Sequence, residues 1–169
     1  MPGTAGSDPA DTAPDSTLKP GPDRSPVSSD QIGVRPEGFA TVAARATLSD
    51  GTVCELCVWL ADTASQRSQG LMFVTDLGPA DAMAFRYPEP HTGTFWMKNT
   101  VLPLSIAFFD SDGGFLTSFD MEPCTSDPCP NYRTPDDFSI AVEVPRGTLA
   151  DLGLVEGSTF ELLDLPCTP

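Results

Sequence analysis

From Phe39 onward the apolar positions fall into short alternating runs broken by Asp-Gly, Gly and Pro, the signature of strands joined by tight turns. Residues 39–48 and 52–61 flank Asp50-Gly51, a dipeptide suited to the left-handed positions of a hairpin. Asp62-Thr63 offers an N-cap, and residues 64–72 read as a short helix ending near Gly70. Further strands are predicted at 82–87, 94–98, 104–109, 114–120, 138–144 and 159–163, with Asp112-Gly113 turning a second hairpin. Residues 148–152 read as a second short helix closed by Gly153. Many short strands and two short helices, without βαβ alternation, predict a compact α+β domain on a mostly antiparallel, barrel-like sheet.

The first 35 residues differ in kind. Seven of the 18 prolines lie within residues 1–36, and no aromatic precedes Phe39. Such a segment buries too little to offset about 1–2 kcal/mol of backbone entropy per residue, so it is expected to be a disordered tether, leaving 36–169 as the domain. It lacks the basic start and apolar stretch of a signal peptide. If a signal or lipid anchor precedes it, the tether is a spacer and the domain belongs to the cell envelope; otherwise the protein is cytoplasmic.

Charge narrows the function classes. Nine Lys and Arg against 24 Asp and Glu give a net charge of −15, of which residues 36–169 carry −13, with six basic residues and 19 acidic ones. That field repels phosphate backbones and anionic bilayers, so neither nucleic acid nor an anionic membrane is an expected partner. No apolar run approaches the roughly 20 residues of a membrane span. A monomer is the expected state.

Two segments stand out in the body: Gln66-Arg67-Ser68-Gln69-Gly70-Leu71-Met72-Phe73 and Phe95-Trp96-Met97-Lys98-Asn99-Thr100. With Leu102-Pro103-Leu104, Ile106-Ala107-Phe108-Phe109-Asp110, Cys129-Pro130-Asn131-Tyr132 and Ala141-Val142-Glu143-Val144, they make residues 40–164 resemble the DUF192 family, a bacterial and archaeal domain of unknown function. The resemblance implies a β-rich α+β domain, often exported, and supplies no reaction. Gln66 and Ser105 stand where the family often has Glu and Asp.

Cys54 and Cys57 form a C-x-x-C within a strand-like run. There, residues i and i+3 face opposite sides about 10 Å apart, so two core thiols are expected rather than a redox or zinc motif. Cys124 and Cys129 bracket a proline-containing loop and suit a disulfide if the domain is exported. Cys167 is left over near the C-terminus. His91 is the single histidine, so no metal set is signalled and no cofactor is expected. Asp110-Ser111-Asp112-Gly113 lacks the later ligands of a calcium loop and reads as a turn.

The scarce basic residues carry the binding hypothesis. Arg67, Lys98 and Asn99 are expected to line a polar pocket for a small sugar or carboxylate, with Trp96 or Tyr132 as its apolar wall. The alternative for Arg67 is an ion pair with Glu143, and for Lys98 a solvated surface. Residues 120–137, the longest stretch without periodicity, read as a lid holding Tyr132 or as a crossover capping a barrel. Non-catalytic ligand binding is therefore the expected role. The competing classes are an enzyme using Cys124 with His91, or a carboxylate such as Glu143 or Asp120, and a protein-interaction module.

Overall fold

Residues 33–167 are described by the computed structural model, and they form nine strands and one helix. In chain order these are β1 (Ala40–Thr47), β2 (Val53–Ala61), α1 (Ala64–Gln69), β3 (Ala82–His91), β4 (Thr94–Trp96), β5 (Leu104–Phe109), β6 (Phe115–Met121), β7 (Asn131–Arg133), β8 (Phe138–Pro145) and β9 (Thr159–Leu162). The tether assigned to residues 1–35 lies outside the described residues except for its last three. Those three already engage the domain: Thr75 Oγ1 accepts from Val34 N at 2.8 Å, and Arg35 pairs with Asp76 at 3.5 Å.

Seven strands make one sheet in the order β6-β5-β8-β3-β2-β1-β9. All of its neighbours are antiparallel except β2 and β3, which run parallel because α1 carries the chain across between them. The sheet alternates its side chains onto two buried faces. Met83, Phe85, Leu104, Ile106, Phe108 and Ala141 fill one face, and Ala82, Ala84, Ala107, Phe109, Val142 and Val144 fill the other. This two-sided burial explains why β5 is buried at all six positions and apolar at all but Ser105.

The expected barrel does not close. The sheet curls until the Phe109 and Phe160 rings stand 5.2 Å apart, and its ends touch at one bridge, Gly114 to Thr159. Phe160 N donates to Gly113 O at 2.8 Å and Phe115 N to Ser158 O at 3.1 Å, but no ladder continues from there. The second helix is also absent: residues 148–152 form consecutive turns, stopped by Gly153 at φ 73°. The segment makes one helical bond, Leu152 N to Thr148 O, and is then closed by Gly153 N to Ala150 O and Leu154 N to Leu149 O, too short a run for a helix.

Two sequence features set α1. Thr63 Oγ1 accepts from Gln66 N at 3.2 Å while Gln66 Oε1 accepts from Thr63 N at 3.0 Å, a reciprocal capping box. Gly70, at φ 47°, ends the helix against the Phe85 ring, where a Cβ would stand 3.4 Å from two ring carbons. The long connection after β6 contains β7, unforeseen from sequence, which pairs with β4 in a separate two-stranded sheet.

Cys57 and Cys167 form a disulfide, with Cα atoms 5.6 Å apart. This corrects the reading of Cys57 as a free core thiol and of Cys167 as unpaired. The partner of Cys57 lies 110 residues away, where local spacing carries no signal. Cys54 remains a free, half-buried thiol.

Candidate functional site

A cleft of about 750 Å³ opens where α1, the loop after it, β3 and β4 meet over one face of the sheet. Its apolar wall includes Leu71, Phe85, Phe95 and Trp96, and its polar groups include Arg67, Tyr87, His91 and Glu143. A cleft this size, with apolar and polar groups in similar measure, has room for a small polar molecule.

Arg67 reaches the cleft from α1. Its Nη1 donates to the carbonyl oxygens of Asp62 at 2.7 Å and Arg86 at 2.8 Å. Its guanidinium carbon lies 4.8 Å from the centre of the Tyr87 ring. The ion pair with Glu143 does not form. Among the described residues, every other Lys and Arg lies within 4.0 Å of a carboxylate: Arg35, Arg45, Arg86, Lys98, Arg133 and Arg146. Arg67 alone has none, in a domain crowded with acids. Arg86 takes the nearby carboxylates instead, bonding Asp62 through Nε and Nη2 at 2.9 Å and Asp164 through Nη1 at 2.6 Å. The hydrogen bonds from Arg86 hold the Asp62 carboxyl below its ordinary range.

Glu143 lies in β8, opposite Met83 of β3 and Ile106 of β5, and is 4% exposed. Strand alternation places it on the face of Ala141, where the pattern otherwise calls for an apolar side chain. Among the described residues no side chain hydrogen-bonds or ion-pairs with its carboxyl. Burial without a partner pushes its pKa up to about 8, so it is mostly protonated at neutral pH. Tyr87 lies within the electrostatic reach of both Glu143 and Arg67. Its phenol is raised first by burial, lowered by Arg67 and raised again by Glu143. His91 stacks on the Tyr87 ring at 4.5 Å.

Of the five ligand residues expected from sequence, Arg67 and Trp96 meet at this cleft, and Lys98, Asn99 and Tyr132 are not among its lining residues. Lys98 pairs with Asp127 at 2.9 Å, its ammonium 5.6 Å from the Trp96 ring. Asn99 turns the chain at φ 55°. The Tyr132 hydroxyl accepts from Glu122 N at 3.0 Å and its ring stacks on Phe119. Cys124 and Cys129 are bonded, with Cα atoms 5.8 Å apart, so a Cys124–His91 nucleophile pair lacks its thiol. Asp120 accepts from Ser105 Oγ at 2.5 Å and is not among the lining residues. Among the described residues no three His, Cys, Asp or Glu side chains are grouped to hold a metal ion, and no helix is long and apolar enough to cross a membrane. The Asp110 carboxylate accepts from Asp112 N and Gly114 N, as a turn does.

Tyr87 was not foreseen as a site residue, because its neighbours Pro88 and Pro90 read as a loop whereas β3 runs on to His91. The signal for Glu143 was present: a carboxylate inside Ala141-Val142-Glu143-Val144, a run otherwise fit for a strand buried on both faces.

A family model described as DUF192, an uncharacterized ACR, matches residues 46–162. A crystal structure of a candidate transcription regulator from Sinorhizobium meliloti 1021 is 32% identical, with a TM-score of 0.64 over 73% of this chain and 95% of that one. A protein of unknown function from Novosphingobium aromaticivorans DSM 12444 is 27% identical, with a TM-score of 0.65 over 78% of this chain and 94% of that one. No curated protein matches the chain.

Proposed function

The chain belongs to the DUF192 family, and on that premise we propose that it binds a small organic anion, a carboxylate or sugar acid, in the Arg67 cleft without transforming it, at the cell envelope. The observation that carries this reading is Arg67 itself, the single described cation with no carboxylate partner, aimed into a cleft by two main-chain carbonyls. A guanidinium left with free donors in a partly apolar site is complementary to a planar carboxylate. Trp96, 48% exposed, supplies flat apolar surface for the body of the ligand. The Cys124–Cys129 and Cys57–Cys167 disulfides support an oxidising compartment. The Sinorhizobium neighbour's description as a candidate transcription regulator does not extend to DNA binding here, because a body of charge −13 opposes a phosphate backbone.

A second reading, an enzyme with Glu143 as general acid, draws on the raised pKa of that carboxyl inside the cleft. The test is a thermal-shift screen of carboxylates, sugar acids, neutral sugars, phosphates and divalent metals on the wild type, Arg67→Ala and Arg67→Lys. Ligand at about 100 times Kd stabilises a fold by roughly 2.7 kcal/mol, a shift of several degrees. The expected result is a shift confined to carboxylate-bearing compounds and absent from a still-folded Arg67→Ala. A shift from neutral sugars alone that survives Arg67→Ala would overturn the anion reading, and product formation from a bound compound would replace binding with catalysis.

A further inference from the structure

The cleft holds two groups of opposite chemistry, each without a charged partner and not joined to each other. Arg67 spends Nη1 on main-chain carbonyls and meets no carboxylate. Glu143 stands in the same cleft with a carboxyl that no described residue bonds. The Arg67 guanidinium lies 4.8 Å from the centre of the Tyr87 ring, and Arg67 and Glu143 both line the cleft without an ion pair forming between them. We propose that the ligand is a small zwitterion, an amino-acid-like molecule whose carboxylate sits on Arg67 and whose ammonium sits against Glu143. This rests on the anion reading above and adds the second charge to the ligand.

Three observations favour an ammonium over a second anion or a plain hydroxyl. Glu143 is more than nine-tenths buried, and burial of a carboxyl with no donor nearby is costly unless something entering the cleft supplies one. The exposed rings of His91 and Trp96 line the same space, and aromatic faces attract a desolvated cation. The surrounding body carries a net −13, which draws cationic groups inward and repels a dianion. The other ionisable groups lining the cleft are Arg67 of α1 and Tyr87, Glu89 and His91 of β3; the β5 residue opposite Glu143, Ile106, carries no charge.

The proton balance is explicit. Free, the cleft holds Glu143 as a neutral acid at pH 7, in line with a pKa of about 8. Binding an ammonium favours the carboxylate, so Glu143 loses its proton to buffer as the ion pair forms, and no bond to the ligand is made or broken.

The experiment is isothermal titration at pH 7 with matched pairs: 5-aminopentanoate against pentanoate, and phenylalanine against 3-phenylpropanoate. Each is run in phosphate and in Tris, whose ionisation heats differ. The expected result is that the amino member of at least one pair binds tenfold or more tighter than its des-amino partner and releases close to one proton. In Glu143→Gln the proton release disappears and the preference falls below threefold, while des-amino binding is kept. Equal binding of both members to the wild type, or amino-acid binding with no proton released, would overturn the zwitterion and leave the anion reading standing. If neither member of either pair binds while another carboxylate shifts the melting point through Arg67, the zwitterion likewise falls alone. Failure of every carboxylate removes both.

Discussion

The main-chain N–H of Phe73 donates to the carbonyl oxygen of Asn99 at 2.8 Å, and both residues hold left-handed backbone, at φ 63° and 55°. This bond clasps the two segments most diagnostic of the family. Two residues before each clasp residue the chain is anchored in the core, by Leu71 at 2% exposure and Met97 at 1%. The clasp thereby fixes the loop that carries Met72, which lines the cleft as Trp96 does.

Asparagine tolerates left-handed backbone and phenylalanine does not, while Phe73 is 62% exposed and gains little from burial. Phe73→Gly should therefore change stability by no more than about 0.5 kcal/mol, relief of strain offsetting the added entropy of the unfolded chain. Asn99→Gly should behave alike, whereas Asn99→Val should cost about 1–2 kcal/mol. Urea midpoints at constant slope decide the matter. A loss above about 1.5 kcal/mol in Phe73→Gly would show that its side chain packs on something essential.

The strands were legible because their period is local: β5 matches its expected bounds and β1, β2, β6, β8 and β9 fall within one or two residues of theirs. Sheet order was not, since the β2–β3 parallel pairing and the Gly114–Thr159 contact depend on how the chain returns in space. The same divide runs through the site. Arg67 and Trp96 stood out by rarity and motif, and both reach the cleft. Lys98 shares the motif, but its side chain leaves toward Asp127, a partner 29 residues on that spacing cannot indicate.

The two disulfides should differ in worth because they close loops of different length. Cys57–Cys167 spans 110 residues and Cys124–Cys129 spans 5. On the chain-entropy account the first restricts the unfolded chain by about 4–5 kcal/mol and the second by about 2 kcal/mol. Cys167→Ser should then lower the urea midpoint of the oxidised protein about twice as far as the Cys124→Ser/Cys129→Ser pair. Equal effects would mean that other bonds restrain the C-terminal segment, as Leu163 N to Ala43 O and Ala43 N to Leu165 O do in part.

Gly113 is the point where the curled sheet meets itself. A Cβ there would stand 2.6 Å from the carbonyl oxygen of Phe160, and φ is 82°. Gly113→Ala should break the Phe160 N to Gly113 O bond and cost about 2–4 kcal/mol. Gly147, at φ 85° with open space around its Cβ, gives the control: Gly147→Ala bears only the backbone strain, about 1 kcal/mol. Equal losses in chemical denaturation would remove the close approach as a cause.

Glu143 also fixes how stability depends on pH. Its folded pKa, about 8, lies above the ordinary glutamate value of 4.5, so the folded state holds this proton more tightly than the unfolded state. Its contribution is fully present below about pH 4.5 and is lost as pH rises toward 8, at up to ~1.4 kcal/mol per pH unit. Asp62 works in the opposite direction. Its pKa is lowered by Arg86, so its contribution is present above the ordinary aspartate value of 3.8 and is lost only as pH falls through its depressed pKa. Between pH 5 and 7.5 the Glu143 effect should therefore dominate the difference between wild type and Glu143→Gln. The wild type should lose stability across that window by a few kcal/mol, and Glu143→Gln should be nearly flat, becoming the more stable of the two at pH 7.5. Parallel curves for the two proteins would mean that the carboxyl is ionised in the fold at neutral pH. The proton release expected on binding a zwitterion would then have no source.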